Sequence, residues 1–300
     1  MSKSFYQLLK ENAPFEEIKA AIESGNFRAP SMIPLQEAML TKKIDKRIPL
    51  LLISSGANVN ERPNYDYGSM LHIAIYKKLG LEIISALISA GADLNMTNFD
   101  NETPLHEAIE KKAGLNIISA LISAGANVNA KNSAEETPLH IAVKKKSNKG
   151  TIQALIEAGA DLNAKERYYG RTPLHYAAIN ELPKAGLQLL IDAGADVNAK
   201  DGNGNTPLKE AKSCDYQEMV DLLIEHGAKE SLFDLIEDDA SVKKIKTAIA
   251  EGADVNEKSG GDEDTPLHIA ASRPWKVDVI RLLIEAGADE NILNEEITLL

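Results

Sequence analysis

The segment TPLHEAIEKKAGLNIISALISAGANVNAKNSAEETPLH, residues 103–140, contains one complete unit of a repeat and the start of the next. The tetrapeptide TPLH recurs, intact or altered, as TPLH at 103–106, 137–140, 172–175 and 265–268, SMLH at 69–72, TPLK at 206–209 and IPLQ at 33–36. From Ser69 to Thr206, successive copies start 34, 34, 35 and 34 residues apart. A fixed period in this range is typical of solenoid proteins, in which each unit packs only on its neighbours.

Each unit is predicted to form a helix, a turn, a second helix and an extended finger. In TPLH the threonine suits the N-cap of a helix, and the proline suits the first helical position, where its missing N–H is not needed. A second apolar stretch, such as LISAGANVN at 121–129, closes on a glycine of the kind that ends helices. Polar segments such as NAKDGNGN at 198–205 then predict a hairpin finger.

This pattern resembles the ankyrin repeat, whose TPLH and GADVN signatures recur here nearly verbatim and whose repeat length is close to the observed period. The resemblance covers essentially the whole chain. It implies an all-α solenoid of about nine helix-turn-helix units with β-hairpin fingers. We place the units at about 2–29, 30–63, 64–97, 98–131, 132–166, 167–200, 201–229, 230–259 and 260–294.

One junction departs from the pattern. Only four residues separate Gly227 from Ser231, the counterpart of the next threonine, so one finger is missing. The segment that follows, residues 231–252, aligns without gaps with residues 4–25 at the amino terminus. Two interpretations stay open. Either residues 1–229 and 230–300 are two arrays that meet at 227–231, the second ending in a partial unit, or the chain is one continuous solenoid that lacks a finger.

Composition excludes several classes of protein. The chain has 33 basic and 45 acidic residues, a net charge of −12, which disfavours binding to nucleic acid. A single cysteine, Cys214, cannot form a disulfide framework, so we expect a reducing, cytoplasmic location. No apolar run reaches the length of a membrane span, so we expect no membrane insertion.

No catalytic or metal-binding pattern emerges from the sequence. Five of the six histidines belong to the repeated motif, about 34 residues apart, which spaces them too widely to share one ion. The resemblance implies instead that they form hydrogen bonds within and between repeats. We therefore predict a protein that is not an enzyme and needs no cofactor or metal.

Candidate partner-binding residues lie where the repeat is free to vary. Tyrosine is enriched at interface hot spots, and the fingers and first helices of a solenoid line its concave groove. A stripe of lysines at the ends of three first helices favours an acidic partner face, although a helix C-terminus also favours cations by itself. The predicted set contains Tyr65, Tyr67, Phe99, Tyr168 and Tyr169 in fingers, Tyr76 and Tyr176 in helices, and Lys77, Lys111 and Lys144 in the stripe.

These observations predict a module that binds a partner protein in the groove of units three to six, as an adaptor, scaffold or inhibitor. Lysine outnumbers arginine by 26 to 7, which suggests an AT-rich genome and, as one option, a bacterial effector acting in the host cytosol. The alternatives are an enzyme whose site is assembled across repeats, with Glu107 or Glu110 as candidate carboxylates, and a purely structural spacer.

Overall fold

The computed structural model describes residues 3–25, 34–41, 45–62, 68–258, 264–273 and 276–289. Within these ranges the chain forms eighteen short helices and no β-strand. The helices are α1 (Phe5–Lys10), α2 (Phe15–Glu23), α3 (Pro34–Leu40), α4 (Arg47–Ser54), α5 (Met70–Tyr76), α6 (Leu81–Ser89), α7 (Pro104–Glu110), α8 (Leu115–Ser123), α9 (Pro138–Lys144), α10 (Lys149–Glu157), α11 (Pro173–Ile179), α12 (Lys184–Asp192), α13 (Pro207–Ser213), α14 (Gln217–Glu225), α15 (Leu232–Glu237), α16 (Val242–Ala250), α17 (Pro266–Ala271) and α18 (Val277–Glu285). The all-α helical repeat is confirmed.

The predicted helix starts and ends are confirmed. Thr103 precedes α7 in an extended conformation, with Pro104 at the first helical position, and the same arrangement opens α9, α11, α13 and α17. Past the second helices, glycines such as Gly125 adopt a left-handed φ, here 99°, which a residue without Cβ adopts at little cost.

The helices form two compact units, Met1–Asp161 and Leu162–Leu300. In the first unit, α3, α5, α7 and α9 pack in series, as do α2, α4, α6, α8 and α10. In the second unit, α11 packs on α13 and α12 on α14, while α15 packs on α17 and α16 on α18. The predicted boundary at 229/230 falls inside the second unit and stays a prediction. The predicted partial unit after residue 294 lies outside the described residues.

The apolar core lies between the first and second helices of each repeat. The leucine of TPLH and the leucine before the closing glycine are fully buried, as Leu105 and Leu121 show in one repeat and Leu139 and Leu155 in the next. Burying a leucine side chain stabilises a fold by roughly 1.5–3 kcal/mol, so this repeated pair supplies a large share of the stability of each repeat.

The fingers are tight turns, in contrast to the predicted β-hairpins. In the finger 98–102, the N–H of Asn98 donates to the carbonyl of Glu102 at 3.0 Å, and the Asn98 side-chain oxygen accepts the N–H groups of Asp100 and Glu102. Asn132 and Asp201 close their fingers in the same way. One side chain thus provides the hydrogen bonds that paired strands would provide.

A ladder of asparagines links neighbouring repeats. The side chain of Asn129 donates to the carbonyl of Gly159 at 3.0 Å and accepts the N–H of Asp161 at 2.7 Å. Asn198 makes the same two bonds with Gly227 and Lys229. These bonds join neighbouring repeats at the ends of their second helices.

The ladder is interrupted at the predicted junction. Six residues separate α14 from α15, whereas fourteen separate α12 from α13, and Ser231 stands where the next asparagine would be and caps α15 instead. The link is ionic here: Glu230 pairs with Lys212 and, at 2.6 Å, with Lys244. Burial raises the pKa of Glu230, but hydrogen bonds from the two lysines outweigh it and hold the pKa below its usual value.

Candidate functional site

The finger 166–171 differs from its neighbours in length and in the residue that closes it. It has one residue more than the fingers 98–102 and 132–136, which accounts for the single 35-residue spacing between Thr137 and Thr172. Glu166 takes the place of the asparagine, and its carboxylate accepts the N–H groups of Tyr168, Tyr169 and Arg171 at 2.7–3.1 Å. The tip is therefore fixed from below by one buried carboxylate.

Two tyrosines project from this tip. Tyr168 is 72% exposed and Tyr169 is 52% exposed. The guanidinium of Arg171 lies 4.7 Å from the centroid of the Tyr169 ring, within cation–π distance. Arg171 is itself held by Glu210 at 2.8 Å and faces the Asp201 carboxylate at 3.6 Å. One tyrosine is thus stacked and the other extends into solvent.

The neighbouring finger contacts this tip through a glycine. The N–H of Gly202 donates to the carbonyl of Tyr169 at 2.6 Å, and a Cβ placed on Gly202 would lie only 2.9 Å from that oxygen. At the equivalent position of the finger 132–136 stands Ser133, whose N–H donates to the carbonyl of Asp100 at 2.8 Å. The longer finger brings its backbone too close for any side chain at position 202.

Replacing Gly202 with alanine is therefore expected to lower the free energy of unfolding by about 1–3 kcal/mol, because backbone atoms must move to admit the methyl group. Urea unfolding measures the change. Ser133→Ala is the matched control, expected to change stability by less than about 0.5 kcal/mol. Equal stability of the two variants would mean that the two fingers do not pack as described.

Phe99 is the most exposed aromatic residue among the described residues of the first unit. It lies in the finger 98–102 with 78% of its surface accessible. Tyr65 and Tyr67, predicted to lie in the preceding finger, fall outside the described residues. Tyr176 lies in α11 and is half-buried. The exposed finger aromatics among the described residues are therefore Phe99, Tyr168 and Tyr169.

A second group lies at the other end of the first helices. Tyr76 ends α5, and its ring, 48% exposed, lies 5.9 Å from the ammonium of Lys77 and 5.6 Å from that of Lys111. The structure thus brings together three of the predicted residues. Since each finger precedes a first helix and each inter-helix turn follows it, this group and the finger aromatics lie at opposite helix ends.

Carboxylates that the sequence did not indicate as partners neutralise part of the lysine stripe. Lys144 pairs with Glu136 at 2.5 Å, and Lys145 pairs with Glu110 at 2.6 Å. Glu107 lies 3.9 Å from Lys111. Burial raises the pKa of Glu107, while Lys111 lowers it in part. Glu107 and Glu110, the candidate carboxylates for catalysis, thus lie beside lysines.

The motif histidines connect repeats. The N–H of Thr103 donates to Nδ1 of His106 at 3.2 Å, so Nδ1 is an acceptor and Nε2 carries the proton that is shared with the carbonyl of Glu136 at 3.1 Å. His72 and His175 make the same contacts with the fingers that follow them. Burial lowers the pKa of His106 and of His175, and lowers that of His72 to about 4.

Family models for ankyrin repeats match the chain over most of its length. A model of three ankyrin-repeat copies matches residues 35–132, 71–166, 111–201 and 139–234, and a single-repeat model matches residues 262–295. The chain belongs to the ankyrin-repeat family. Comparison with individually curated proteins gave no significant match.

Family membership bears on the general activity of the chain. Ankyrin repeats generally mediate protein–protein interaction, and proteins built from them are typically binding modules without enzymatic activity. The helix pairs at 5–23 and 232–250 lie largely outside the matched ranges, yet they have the same helix-turn-helix form, each opened by a serine N-cap.

The described residues contain no group of three or more histidine, cysteine, aspartate or glutamate side chains arranged to hold an ion. Among the described helices, none combines the length and the apolar character needed to cross a bilayer.

Sequence reasoning missed the residues that position the tyrosines. Glu166, Arg171 and Gly202 were not among the predicted site residues. The one available signal was the 35-residue spacing, which marks the finger with an added residue. The single groove predicted across units three to six stays a prediction.

Proposed function

We propose that this ankyrin-repeat chain binds a partner protein through the exposed aromatic residues of its fingers, acting as an adaptor, scaffold or inhibitor. The observation that carries the proposal is the tip of finger 166–171. Tyr168 and Tyr169 are 72% and 52% exposed there, on a backbone that the Glu166 carboxylate fixes with three hydrogen bonds.

A fixed, exposed tyrosine pair is suited to binding. Ordering a flexible side chain at an interface costs about 0.5–1.5 kcal/mol, and the stacking of Arg171 on Tyr169 meets part of this cost before binding. Tyrosine and arginine are also the residue types enriched in interface hot spots. Phe99 offers a comparable anchor in the first unit, where it is 78% exposed. The partner should present apolar pockets with hydrogen-bond acceptors for the phenol groups.

The predicted acidic partner face and the predicted location do not depend on the finger aromatics. The acidic partner face was predicted from the lysines, which lie in the inter-helix turns. Residence in the cytoplasm, or in a host cytosol after export as an effector, stays a prediction from the cysteine, lysine and arginine content.

Affinity capture from cell lysate tests the proposal with three forms of the chain. The first is the intact chain, and the second carries Phe99→Ala, Tyr168→Ala and Tyr169→Ala. The third carries Leu115→Ala, Ile224→Ala and Val277→Ala, three aliphatic residues that are 40%, 51% and 56% exposed on second helices. All three forms should stay folded, because surface substitutions away from special features change stability by less than about 0.5 kcal/mol each.

The intact chain and the aliphatic variant are expected to retain the same proteins, and the aromatic variant is expected to lose them. Binding of the retained protein, measured with purified components, should weaken more than about tenfold in the aromatic variant, the loss of one hot spot. Identical captures by all three forms would remove the finger aromatics from the binding surface. Capture of nothing by the intact chain would favour the spacer alternative.

A further inference from the structure

Three inter-helix turns of the first unit carry basic residues, and three inter-helix turns of the second unit carry acidic ones. In seven repeats the first helix ends in a C-cap residue followed by a residue in the left-handed conformation. In three consecutive repeats of the first unit these two positions hold Lys77 and Lys78, Lys111 and Lys112, and Lys145 and Lys146. In three consecutive repeats of the second unit they hold Asn180 and Glu181, Cys214 and Asp215, and Asp238 and Asp239. Six lysines are thus replaced by four carboxylates.

Local helix structure favours the lysines but does not explain the carboxylates. The left-handed positions have φ of 52° at Lys112, 48° at Glu181 and 54° at Asp215, a region where glycine and asparagine cost least. A helix C-terminus favours lysine and disfavours a carboxylate, so the dipole accounts for the first series and opposes the second. Positions that break a local preference in this way are candidates for function.

The charges at the left-handed positions point to solvent. Lys78, Lys112 and Lys146 are exposed, and within the described part of the chain no carboxylate lies within 4.0 Å of them. We call these three residues the lysine edge. Their neighbours Lys111 and Lys145 are instead beside Glu107 and Glu110.

The acidic series is similarly accessible. Glu181 and Asp215 are exposed, and no basic side chain of the described ranges lies within 4.0 Å of them. Asp239 pairs with Lys276 at 2.8 Å, which leaves Asp238, with 65% of its side chain exposed and Lys212 4.0 Å away, as the third charge. Glu181, Asp215 and Asp238 form the acidic edge.

The same asymmetry extends to the whole units. Residues 1–161 contain 18 basic and 18 acidic side chains, whereas residues 162–300 contain 15 basic and 27 acidic ones. The entire net charge of −12 therefore belongs to the second unit. Two copies that approached with their second units together would repel each other, whereas a second unit meets no net repulsion from a first unit.

We propose that the lysine edge of one copy docks on the acidic edge of a second copy, and that the reciprocal contact completes a two-fold dimer. Both edges present one charge per repeat, at a 34-residue interval from Lys78 to Lys112 to Lys146 and again from Glu181 to Asp215. A two-fold interface requires a surface that is complementary to itself, and a chain with both series carries the two opposite charges that such a surface needs. Tyr76, between Lys77 and Lys111, offers an apolar contact beside the lysine edge.

This dimer does not depend on the finger aromatics, because the turns and the fingers lie at opposite ends of the first helices. It is expected to be sensitive to salt, since charges exposed to solvent are screened over about 10 Å at 0.1 M ionic strength. The molar mass of the full chain, measured by light scattering during gel filtration, should double in dilute buffer and return to that of one chain in 0.5 M NaCl.

Charge reversal tests the pairing directly. A lysine-edge variant carries Lys78→Glu, Lys112→Glu and Lys146→Glu, and an acidic-edge variant carries Glu181→Lys, Asp215→Lys and Asp238→Lys. Each alone should be monomeric in dilute buffer, because like charges then face each other. An equimolar mixture should dimerise again, since the reversed edge of each variant is complementary in charge to the reversed edge of the other. Variants that had failed to fold would not dimerise on mixing.

The matched control reverses three lysines of the first unit that lie outside its inter-helix turns, as Lys3→Glu, Lys19→Glu and Lys131→Glu. It changes the net charge equally and should leave the dimer intact. A native chain that stays monomeric at about 100 μM in dilute buffer would overturn the proposal, as would a mixture of the two variants that stays monomeric. A monomeric chain whose lysine-edge variant loses a captured protein would assign the edge to a different acidic partner.

Discussion

Lowering the pH from 7.5 to 4.5 is expected to destabilise the chain by several kcal/mol, largely through its buried motif histidines. Burial lowers the pKa of His72 from 6.5 to about 4, because the ring would lose its hydration on becoming charged. Protonation would also remove the Nδ1 acceptor that the N–H of Ser69 uses. The pKa values of His106 and His175 are lowered by the same cause.

The direction of the effect follows from proton binding. Between pH 6.5 and about 4 the unfolded chain binds protons at His72 that the folded chain excludes, so stability falls as the pH falls. The contribution of His72 is complete above pH 6.5. With a folded pKa of about 4, His72 alone should contribute a loss of about 2.5 kcal/mol by pH 4.5. The other histidines add to this loss, while the raised pKa of Glu107 opposes it.

His72→Gln separates the histidine from the other titrating groups. Glutamine three residues after a serine cap occurs in the same chain, where the side chain of Gln7 accepts the N–H of Ser4. The variant should be less stable at pH 7.5 by about 1 kcal/mol, because it loses the bond from the imidazole to the finger carbonyl of Glu102. Between pH 7.5 and 4.5, however, it should lose about 2.5 kcal/mol less than the native chain.

Urea unfolding curves at the two pH values give both quantities. Equal pH dependence of the variant and the native chain would show that His72 is not neutral in the folded state at pH 4.5. In that case the acid sensitivity would have to come from carboxylates that are stabilised in the folded chain, among which Glu230 has a lowered pKa.

Most of the fold could be predicted because its signals are local. Helix starts such as Thr137–Pro138 and helix ends such as Gly125 depend on a few adjacent residues, and the period repeats these signals along the chain. The form of the fingers, predicted as β-hairpins and found as tight turns, could not be predicted in the same way. Hydrogen bonds between paired strands compete with the hydrogen bonds by which Asn98 closes the turn, and the same polar residue types favour both arrangements.

Much of the candidate site escaped prediction because its contacts cross repeats. Arg171 and Glu210 are 39 residues apart, and Glu110 and Lys145 are 35 apart. Such pairs meet only when neighbouring repeats stack, so no spacing within one repeat reveals them. The exposure of Tyr168 was predicted from its finger position, whereas the stacking that holds Tyr169 was not.

The second large effect is expected at residue 245. Ile245 is fully buried in α16, where it packs in an apolar cluster whose buried members come from α15–α18 and from Ala288, which follows α18. Ile245→Ala should lower the stability of residues 230–289 by about 2–5 kcal/mol, through lost burial and the cavity that remains. Trp275, the single tryptophan, lies in this segment of the sequence, so a change in tryptophan fluorescence on unfolding can be assigned to the segment, while circular dichroism reports all helices.

Two further variants locate the boundary of the cooperative unit. Leu187→Ala removes a fully buried leucine from α12, and Ile152→Ala removes a fully buried isoleucine from α10. If the chain forms two arrays that meet at 229/230, only Ile245→Ala shifts the fluorescence transition to lower urea. Should Leu187→Ala shift it as well, the whole second unit unfolds together and the boundary lies at 161/162. A shift caused by Ile152→Ala would mean one continuous cooperative solenoid.

We expect the first of these outcomes, because of the way in which the junction is held. In a solenoid, cooperativity depends on the interface between neighbouring repeats. Between the repeats α11–α12 and α13–α14 that interface contains packed helices, the finger 201–205 and the asparagine bonds of Asn198. Between α14 and α15 the finger and the asparagine are missing, and Glu230 bridges Lys212 and Lys244. Partly exposed ion pairs contribute roughly 0–1 kcal/mol each, less than the 2–5 kcal/mol that Ile245→Ala removes. The coupling is therefore too weak to hold residues 230–289 folded once their own core is damaged.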